Sequence, residues 1–306
     1  MSVRVIVGDV RETLRTLPDA SAQCCVTSPP YFGLRDYGHA GQIGLEPTPD
    51  EYVAQMVAVF REVRRVLRED GTLWLNLGDS YARGFGGGTP GEKSASNAGS
   101  YERRSLGKVP DGLKAKDLIG IPWMVAFALR ADGWTLRSDI IWHKPNPMPE
   151  SVTDRPTKAH EYVFLLTKAE RYYYDAAAIA EEATGQDAGN GFARPHRLSV
   201  GGRGDPTPWT ANPEGTRNAR TVWPIATQPY KGAHFATMPP ALAERCIKAG
   251  TKAGDMVLDP FGGAGTTGLV ADRLGRDAIL CELNPAYVEL ARQRIKDDNP
   301  LLTEVV

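Results

Sequence analysis

The stretch from residue 256 to residue 282 constrains the fold more than any other part of the chain. Met256-Val257-Leu258-Asp259 is a short apolar run ending in an acid, and it opens into Pro260-Phe261-Gly262-Gly263-Ala264-Gly265-Thr266-Thr267-Gly268. Residues 269–274 follow as a helix, then 278–281 as a second strand with Glu282 at its end. Strand, glycine turn, helix and strand make a βαβ unit, whose two strands must pair in parallel, and parallel sheets need cover on both faces. Gly263, Gly265 and Gly268 satisfy G-x-G-x-x-G, which lets the backbone turn tightly and approach a ligand closely. Glu282, about twenty residues on, stands where an acid accepts from both hydroxyls of a ribose. Any adenosine-bearing cofactor fits this unit, a dinucleotide included.

The remainder of the chain repeats the pattern of apolar run and turn. Residues 3–7 are β-branched and end at Gly8-Asp9, residues 24–27 form a second run, and residues 72–77 end in Gly78-Asp79. Between them lie a short helix carrying Leu14 and Leu17 and a longer one announced by Thr48-Pro49-Asp50-Glu51. That tetrapeptide has the form of a capping box with proline at the first helical position. Val53, Met56, Val57, Phe60, Val63 and Leu67 follow at helical spacing, with Gly71 placed to stop the helix. A helix is expected over 122–131, strands over 138–142 and 161–167 around the proline-rich 144–156, and a helix from 238 carrying Leu242, Cys246 and Ile247. Asn284-Pro285 caps and starts a last helix, with Tyr287, Leu290, Ala291 and Ile295 on one face. Alternation of this kind predicts an α/β fold, a mainly parallel sheet with helices on both faces. At 306 residues the chain suits one domain over 1–306 with irregular insertions.

Two segments break the pattern. Residues 84–117 are read as a flexible insertion, because the glycine, serine and charge from 84 to 112 have no periodicity. Residues 186–221 form a second. Between 189 and 222 five arginines (Arg194, Arg197, Arg203, Arg217 and Arg220) face two acids, with Phe192 and Trp209 interleaved. A basic segment with aromatics is a candidate nucleic-acid reader, the alternative being a solvated surface loop. The net charge of -1 supplies no global basic field, so such contact must be local. Cys24, Cys25, Cys246 and Cys281 show neither a disulfide framework nor metal-ligand spacing, which fits a reducing cytoplasm and no bound metal. The opening residues lack a signal-peptide layout, and the apolar stretch 122–129 is too short to span a bilayer. A soluble cytoplasmic protein with no membrane partner is expected.

The most chemically pointed motif is Thr27-Ser28-Pro29-Pro30-Tyr31, directly after the run 24–26. Two prolines lock the backbone past the strand end and carry no N–H, so carbonyls face outward as acceptors. A rigid acceptor cradle with a tyrosine at its lip suits a planar substrate bearing an exocyclic amine. Tyr31 stacks on the ring while the Ser28 hydroxyl and the Pro29 carbonyl accept from the amine. A plain proline-rich turn is the alternative, and the position at a strand end, where open α/β sheets bind ligands, speaks against it. The cradle has no role in hydride transfer and an obvious one in amine methylation. Asp259-Pro260-Phe261 before the glycines is likewise unusual for a dinucleotide fold, and in this sequence no second mononucleotide half follows the βαβ unit. S-adenosyl-L-methionine is therefore favoured over NAD.

At these residues the chain resembles the DNA amino-methyltransferases in their circularly permuted β arrangement, with the catalytic motif early and the cofactor loop late. Gly8-Asp9 and 27–31 match the opening motifs; 72–79, 139–146 with His160-Glu161, 234–239, 259–265 and Glu282 match others in family order. The resemblance implies a Rossmann-like, mixed, mainly parallel seven-stranded sheet with a reversed hairpin near 138–142 and 161–167. It implies a backbone cradle for the cofactor at Phe261, Gly263 and Gly265, Glu282 on the ribose and Asp9 near the adenine. Asp259 and the segment with His234, Phe235 and Thr237 then lie near the methionine end, and Thr27 joins the cofactor contacts. Ser28, Pro29, Pro30 and Tyr31 are the catalytic motif, and target recognition falls to 172–222, with 84–112 sharing the task. Double-stranded DNA is the implied partner, and a homodimer and a cognate restriction endonuclease stay open. Ser28, where relatives with Asp or Asn mostly methylate adenine N6, implies cytosine N4, with adenine N6 as the alternative.

An amine in a duplex is paired and stacked, so the base must flip out for methylation. Methylation at cytosine C5 needs a cysteine following a proline, whereas Gln23, Cys24, Arg245 and Leu280 precede the four cysteines here. The zinc-deaminase motifs are absent. A methyltransferase on RNA, protein glutamine or a small amine, a Rossmann oxidoreductase, and a DNA-binding module without activity are the remaining alternatives.

Overall fold

A computed structural model describes residues 2–39, 41–82, 109, 112–182, 215–228, 237–299 and 304–305. The strands are β1 (Ser2–Val7), β2 (Ala22–Thr27), β3 (Leu67–Leu77), β4 (Thr135–His143), β5 (His160–Thr167), β6 (Glu181–Glu182), β7 (Thr216–Arg217), β8 (Val222–Pro224), β9 (Met256–Asp259), β10 (Asp277–Glu282) and β11 (Glu304–Val305). The helices are α1 (Val10–Thr13), α2 (Pro49–Val66), α3 (Ile121–Ala131), α4 (Pro240–Gly250), α5 (Thr266–Arg273) and α6 (Pro285–Asp298). Most of the 84–117 insertion and the centre of 172–222 lie outside the described residues.

The main sheet runs β11-β1-β10-β9-β2-β3-β5-β4-β8. Its seven longer strands match the expected number, and the short β11 and β8 extend the two edges. Every pairing is parallel except those of β5, which runs against both β3 and β4. That reversal matters for function. The carboxyl ends of β1, β10, β9, β2 and β3 form one edge, and the register pairs Val7 with Glu282, Leu280 with Asp259 and Thr27 with Leu75. Because β5 is reversed, its first residues reach the same edge, with Tyr162 opposite Leu77 and Glu161 opposite Trp142.

Alternating side chains feed two apolar layers. Leu73, Leu75, Phe164 and Leu166 pack with Met56, Phe60 and Val63 of α2 and Val125 and Leu129 of α3. Trp74, Val163 and Leu165 point the other way, against Leu242, Cys246 and Ile247 of α4, Val270 of α5 and Ile295 of α6. The capping box of α2 is formed: Thr48 Oγ1 accepts from Glu51 N and Glu51 Oε2 from Thr48 N, both at 3.2 Å. Asn284 caps α6 by accepting from Ala286 N at 2.9 Å. All four cysteines are free and buried. No described helix is long and apolar enough to cross a membrane.

Two local readings are corrected. Gly71 does not end α2, which stops at Val66; it lies inside β3 beside a register shift, where an added Cβ would stand 3.1 Å from the Gln23 carbonyl oxygen. On α6 the buried residues are Val288, Ala291 and Ile295, and Tyr287 turns instead toward the cleft described below.

Candidate active site

A cleft of about 1050 Å³ follows the carboxyl edge of the sheet and has two lobes. One is walled by Gly8, Asp9, residues 259–264 and residues 281–284; the other by Asn76, Gly78, Lys144, Lys158 and Glu161. Ser28, Pro29 and Pro30 line the cleft at the end of β2, between strands β9 and β3.

In the first lobe the glycines divide the labour. A Cβ at Gly262 would stand 2.9 Å from Leu280 Cβ, and one at Gly265 only 2.8 Å from Ala291 Cβ, so both serve packing. Gly263, at φ +50°, has only the Phe261 carbonyl oxygen near that position, at 3.9 Å, and turns its open side to the cleft. Gly265 is thus a packing residue as well as the N-cap of α5, a role its place in the motif does not reveal. The Glu282 oxygens accept from Gly263 N and Asn284 N, both at 2.8 Å, and each keeps a lone pair for a ligand hydroxyl. Burial pushes its carboxyl up from the usual range. Asp259, 3% exposed, accepts from Thr27 Oγ1 at 2.7 Å and Phe261 N at 3.0 Å, and burial pushes it up to about 6. Asp9 caps α1 and is held by Arg11, whose hydrogen bonds keep its carboxyl low. Thr237 lines the cleft, while His234 and Phe235 lie outside the described residues.

In the second lobe the tyrosine is tied down rather than free. Tyr31 Oη donates to Glu161 Oε2 at 2.6 Å and accepts from Asn76 Nδ2 at 2.8 Å and Ser28 Oγ at 3.2 Å. Its ring lies on Gly78, where an added Cβ would come within 2.5 Å of Cε2. Burial, with Glu161 beside it, drives the phenol pKa well up, so Tyr31 stays a neutral donor. Lys144 Nζ meets Glu161 Oε1 at 2.5 Å and sits 4.4 Å from the centre of the Trp142 ring. The Pro30 carbonyl already accepts from Tyr52 Oη at 2.9 Å, whereas the Pro29 carbonyl has no donor among the described residues. Lys158 Nζ donates to the Asp79 carbonyl at 3.1 Å, and burial lowers its pKa. Asp79 itself caps α3, accepting from Gly120 N and Ile121 N at 3.0 Å.

Lys158 has no place in the sequence reading, and Asn76, Gly78, Lys144 and Glu161 fall there only within motif matches, with no role given to any of them. Asn76 leaves a trace in the sequence, a lone amide inside the apolar run 73–77. Of the five arginines, Arg194, Arg197 and Arg203 fall outside the described residues. Arg217 and Arg220 approach Glu181 Oε2 at 3.7 and 3.0 Å, and Arg245 reaches Oε1 at 2.8 Å.

The family model for N6/N4 DNA methylases matches residues 22–293. The chain belongs to that DNA methylase family. The methylase is 49% identical to Type II methyltransferase M.SmaI of Serratia marcescens over 297 residues, 96% of this chain and 91% of the relative. With M.Cfr9I of Citrobacter freundii it shares 48% over 293 residues, 95% and 87% of the two chains. TTHA0409 of Thermus thermophilus, solved with S-adenosyl-L-methionine, superposes with a TM-score of 0.62 at 26% identity, covering 99% and 98%. The cytosine-N4-specific PvuII DNA methyltransferase shares the fold, with a TM-score of 0.64 at 21% identity over 97% and 92%.

The methylase is an S-adenosyl-L-methionine-dependent DNA methyltransferase of the cytosine-N4 or adenine-N6 type. Its first lobe fits that cofactor. Two carboxyls, the buried Asp259 and the half-buried Glu282, both with raised pKa values, face a cleft that a cationic ligand would complement. Gly263 leaves room for close approach, and Glu282 presents two carboxylate oxygens to the cleft, acceptors suited to ligand hydroxyls.

Proposed function

We propose that the methylase transfers a methyl group to the exocyclic N4 of a cytosine flipped out of duplex DNA. The observation that carries this reading is the pair of acceptors at Ser28 Oγ and the Pro29 carbonyl, set between the cofactor lobe and the tyrosine lobe. The cofactor supplies an electrophilic sulfonium methyl. An aromatic amine is a weak nucleophile because its lone pair is delocalised into the ring. Ser28 and Pro29 hold its two protons, localise that lone pair and stabilise the positive charge that grows on nitrogen. The released proton has a hydrogen-bonded route from Ser28 Oγ to Tyr31 Oη to Glu161, whose charge Lys144 balances. Tyr31 offers its ring as the base's stacking partner, and the Glu161 bond holds that ring in place. Phe261, Gly263 and Gly265 form the backbone cradle, Glu282 holds the ribose, Asp9 lies near the adenine, and Asp259 with Thr27 and Thr237 lies near the methionine end.

Ser28 supports cytosine over adenine, by the family pattern of serine before Pro-Pro-Tyr. The PvuII fold admits this chemistry without selecting it. Residues 1–306 form one catalytic domain, with recognition assigned to 172–222 and shared by 84–112. Arg220, 68% exposed beside Glu181, is assigned to phosphate, while the more enclosed Arg217 clamps the base of the segment. A cognate restriction endonuclease reading the same site, a homodimer, and a cytoplasmic location on the nucleoid complete the proposal. Duplex DNA incubated with the methylase and S-adenosyl-L-methionine, digested to nucleosides and weighed by mass spectrometry, tests it. N4-methylcytosine is expected; N6-methyladenine alone overturns the choice of base.

A further inference from the structure

The proline-rich loop after β4 presents an apolar side chain where none is needed for folding. Met148 is 85% exposed and lines the cleft. Pro145, Pro147 and Pro149 alternate around it and restrict the backbone. The loop is fastened on both sides. Asn146 Oδ1 accepts from Thr227 N at 2.9 Å and its Nδ2 donates to the Thr227 carbonyl at 3.2 Å. Beyond the tip, Glu150 accepts from Arg155 Nη1 at 2.7 Å and from Lys158 N at 3.2 Å, and Lys144 N donates to the Ala159 carbonyl at 2.8 Å. A stiff, anchored loop that holds a flexible thioether in water is arranged for an apolar partner that arrives later.

The partner is the interior of the base stack. A base that leaves a duplex opens an apolar slot, and wedge side chains such as Met, Leu, Ile or Phe fill slots of that kind. Lys158 lines the same cleft and supplies positive charge for the backbone of the displaced nucleotide. Leu34, 46% exposed, is a second apolar side chain lining the cleft, three positions past Tyr31. We infer that Met148 enters the stack as the target nucleotide leaves it and so holds the flipped state open. This rests on the DNA base-flipping reading given above.

The test compares two duplexes carrying the site mapped by modified-base sequencing, one with the target base paired and one with it mismatched. Met148→Gly is expected to slow single-turnover methylation of the paired target by about ten- to hundredfold, the scale of unpairing energies. On the mismatched target, already half open, its rate should stay close to that of wild type. Met148→Leu should keep activity on both, and cofactor affinity should be unchanged in both variants. Equal loss on the two duplexes, or no loss on the paired one, overturns the wedge. A wild-type protein that methylates neither duplex would instead remove the base-flipping reading itself.

Discussion

Tyr31→Phe removes one oxygen from the substrate lobe and separates the role of the hydroxyl from that of the ring. That oxygen donates to Glu161 Oε2 at 2.6 Å and accepts from Asn76 and Ser28 at 2.8 and 3.2 Å. Without it Glu161 keeps Lys144 on Oε1 and Asn76, at 3.0 Å, on Oε2. Its charge stays paired, so the fold survives. What disappears is one hydrogen bond to a charged group, worth about 1.5–3 kcal/mol, and the acceptor of the Ser28 hydroxyl, whose oxygen keeps only the longer bond from Asn76 Nδ2 at 3.3 Å among the described residues. Spent at the transfer step, this corresponds to a rate roughly 10- to 150-fold lower. Glu161→Gln weakens the same bond from its other end, so the double variant should be little slower than the slower single one. Single-turnover transfer of labelled methyl groups to duplex DNA measures the rates, and calorimetry should find cofactor affinity unchanged. A wild-type rate for Tyr31→Phe, or additive losses in the double variant, would refute the network as the element that positions Ser28 and the ring.

Tyr31→Ala should cost a further stacking contribution of about 1–3 kcal/mol in the transfer rate while leaving cofactor binding intact, which the same two assays resolve. Gly78→Ala should slow transfer without weakening cofactor binding, because its Cβ falls 2.5 Å from the Tyr31 ring. Glu282→Ala should weaken S-adenosyl-L-methionine binding by about 1–3 kcal/mol in calorimetry, the cost of stranding hydrogen-bonded groups. Asp259 at about 6 sets a pH dependence: a cationic cofactor favours the ionised carboxylate, so affinity should be level above about pH 7 and fall as pH drops through 6. Stability runs the other way. The raised carboxyl favours the folded state most fully below its ordinary value of 3.8, and that contribution is lost as pH rises through about 6. Asp259→Asn should flatten both profiles, in calorimetry and in thermal unfolding respectively.

The parts of the fold written in local sequence were legible. The acids at the ends of β1, β9 and β10, the capping box at Thr48 and the cap at Asn284 follow from patterns a few residues long. Gly71 misled because a glycine after a helical run reads as a stop, whereas β3 begins immediately at Leu67. Helical spacing placed Tyr287 in the core, although Val288, one residue on, faces it. The Glu161 network was hidden for a different reason. Glu161 lies 130 positions from Tyr31 in sequence, and only the reversal of β5 brings it to the catalytic edge. Lys144 arrives with it on β4's far end, and no spacing rule within either segment records their meeting.

The most direct measurement is a crystal structure of the methylase with a non-transferring cofactor analogue and duplex DNA carrying its site. The target cytosine should lie outside the helix against the Tyr31 ring, with its amine about 3 Å from both Ser28 Oγ and the Pro29 carbonyl oxygen. Met148 should occupy the gap left in the stack. A target base still paired in the duplex, or an amine held by groups other than Ser28 and Pro29, would contradict the account.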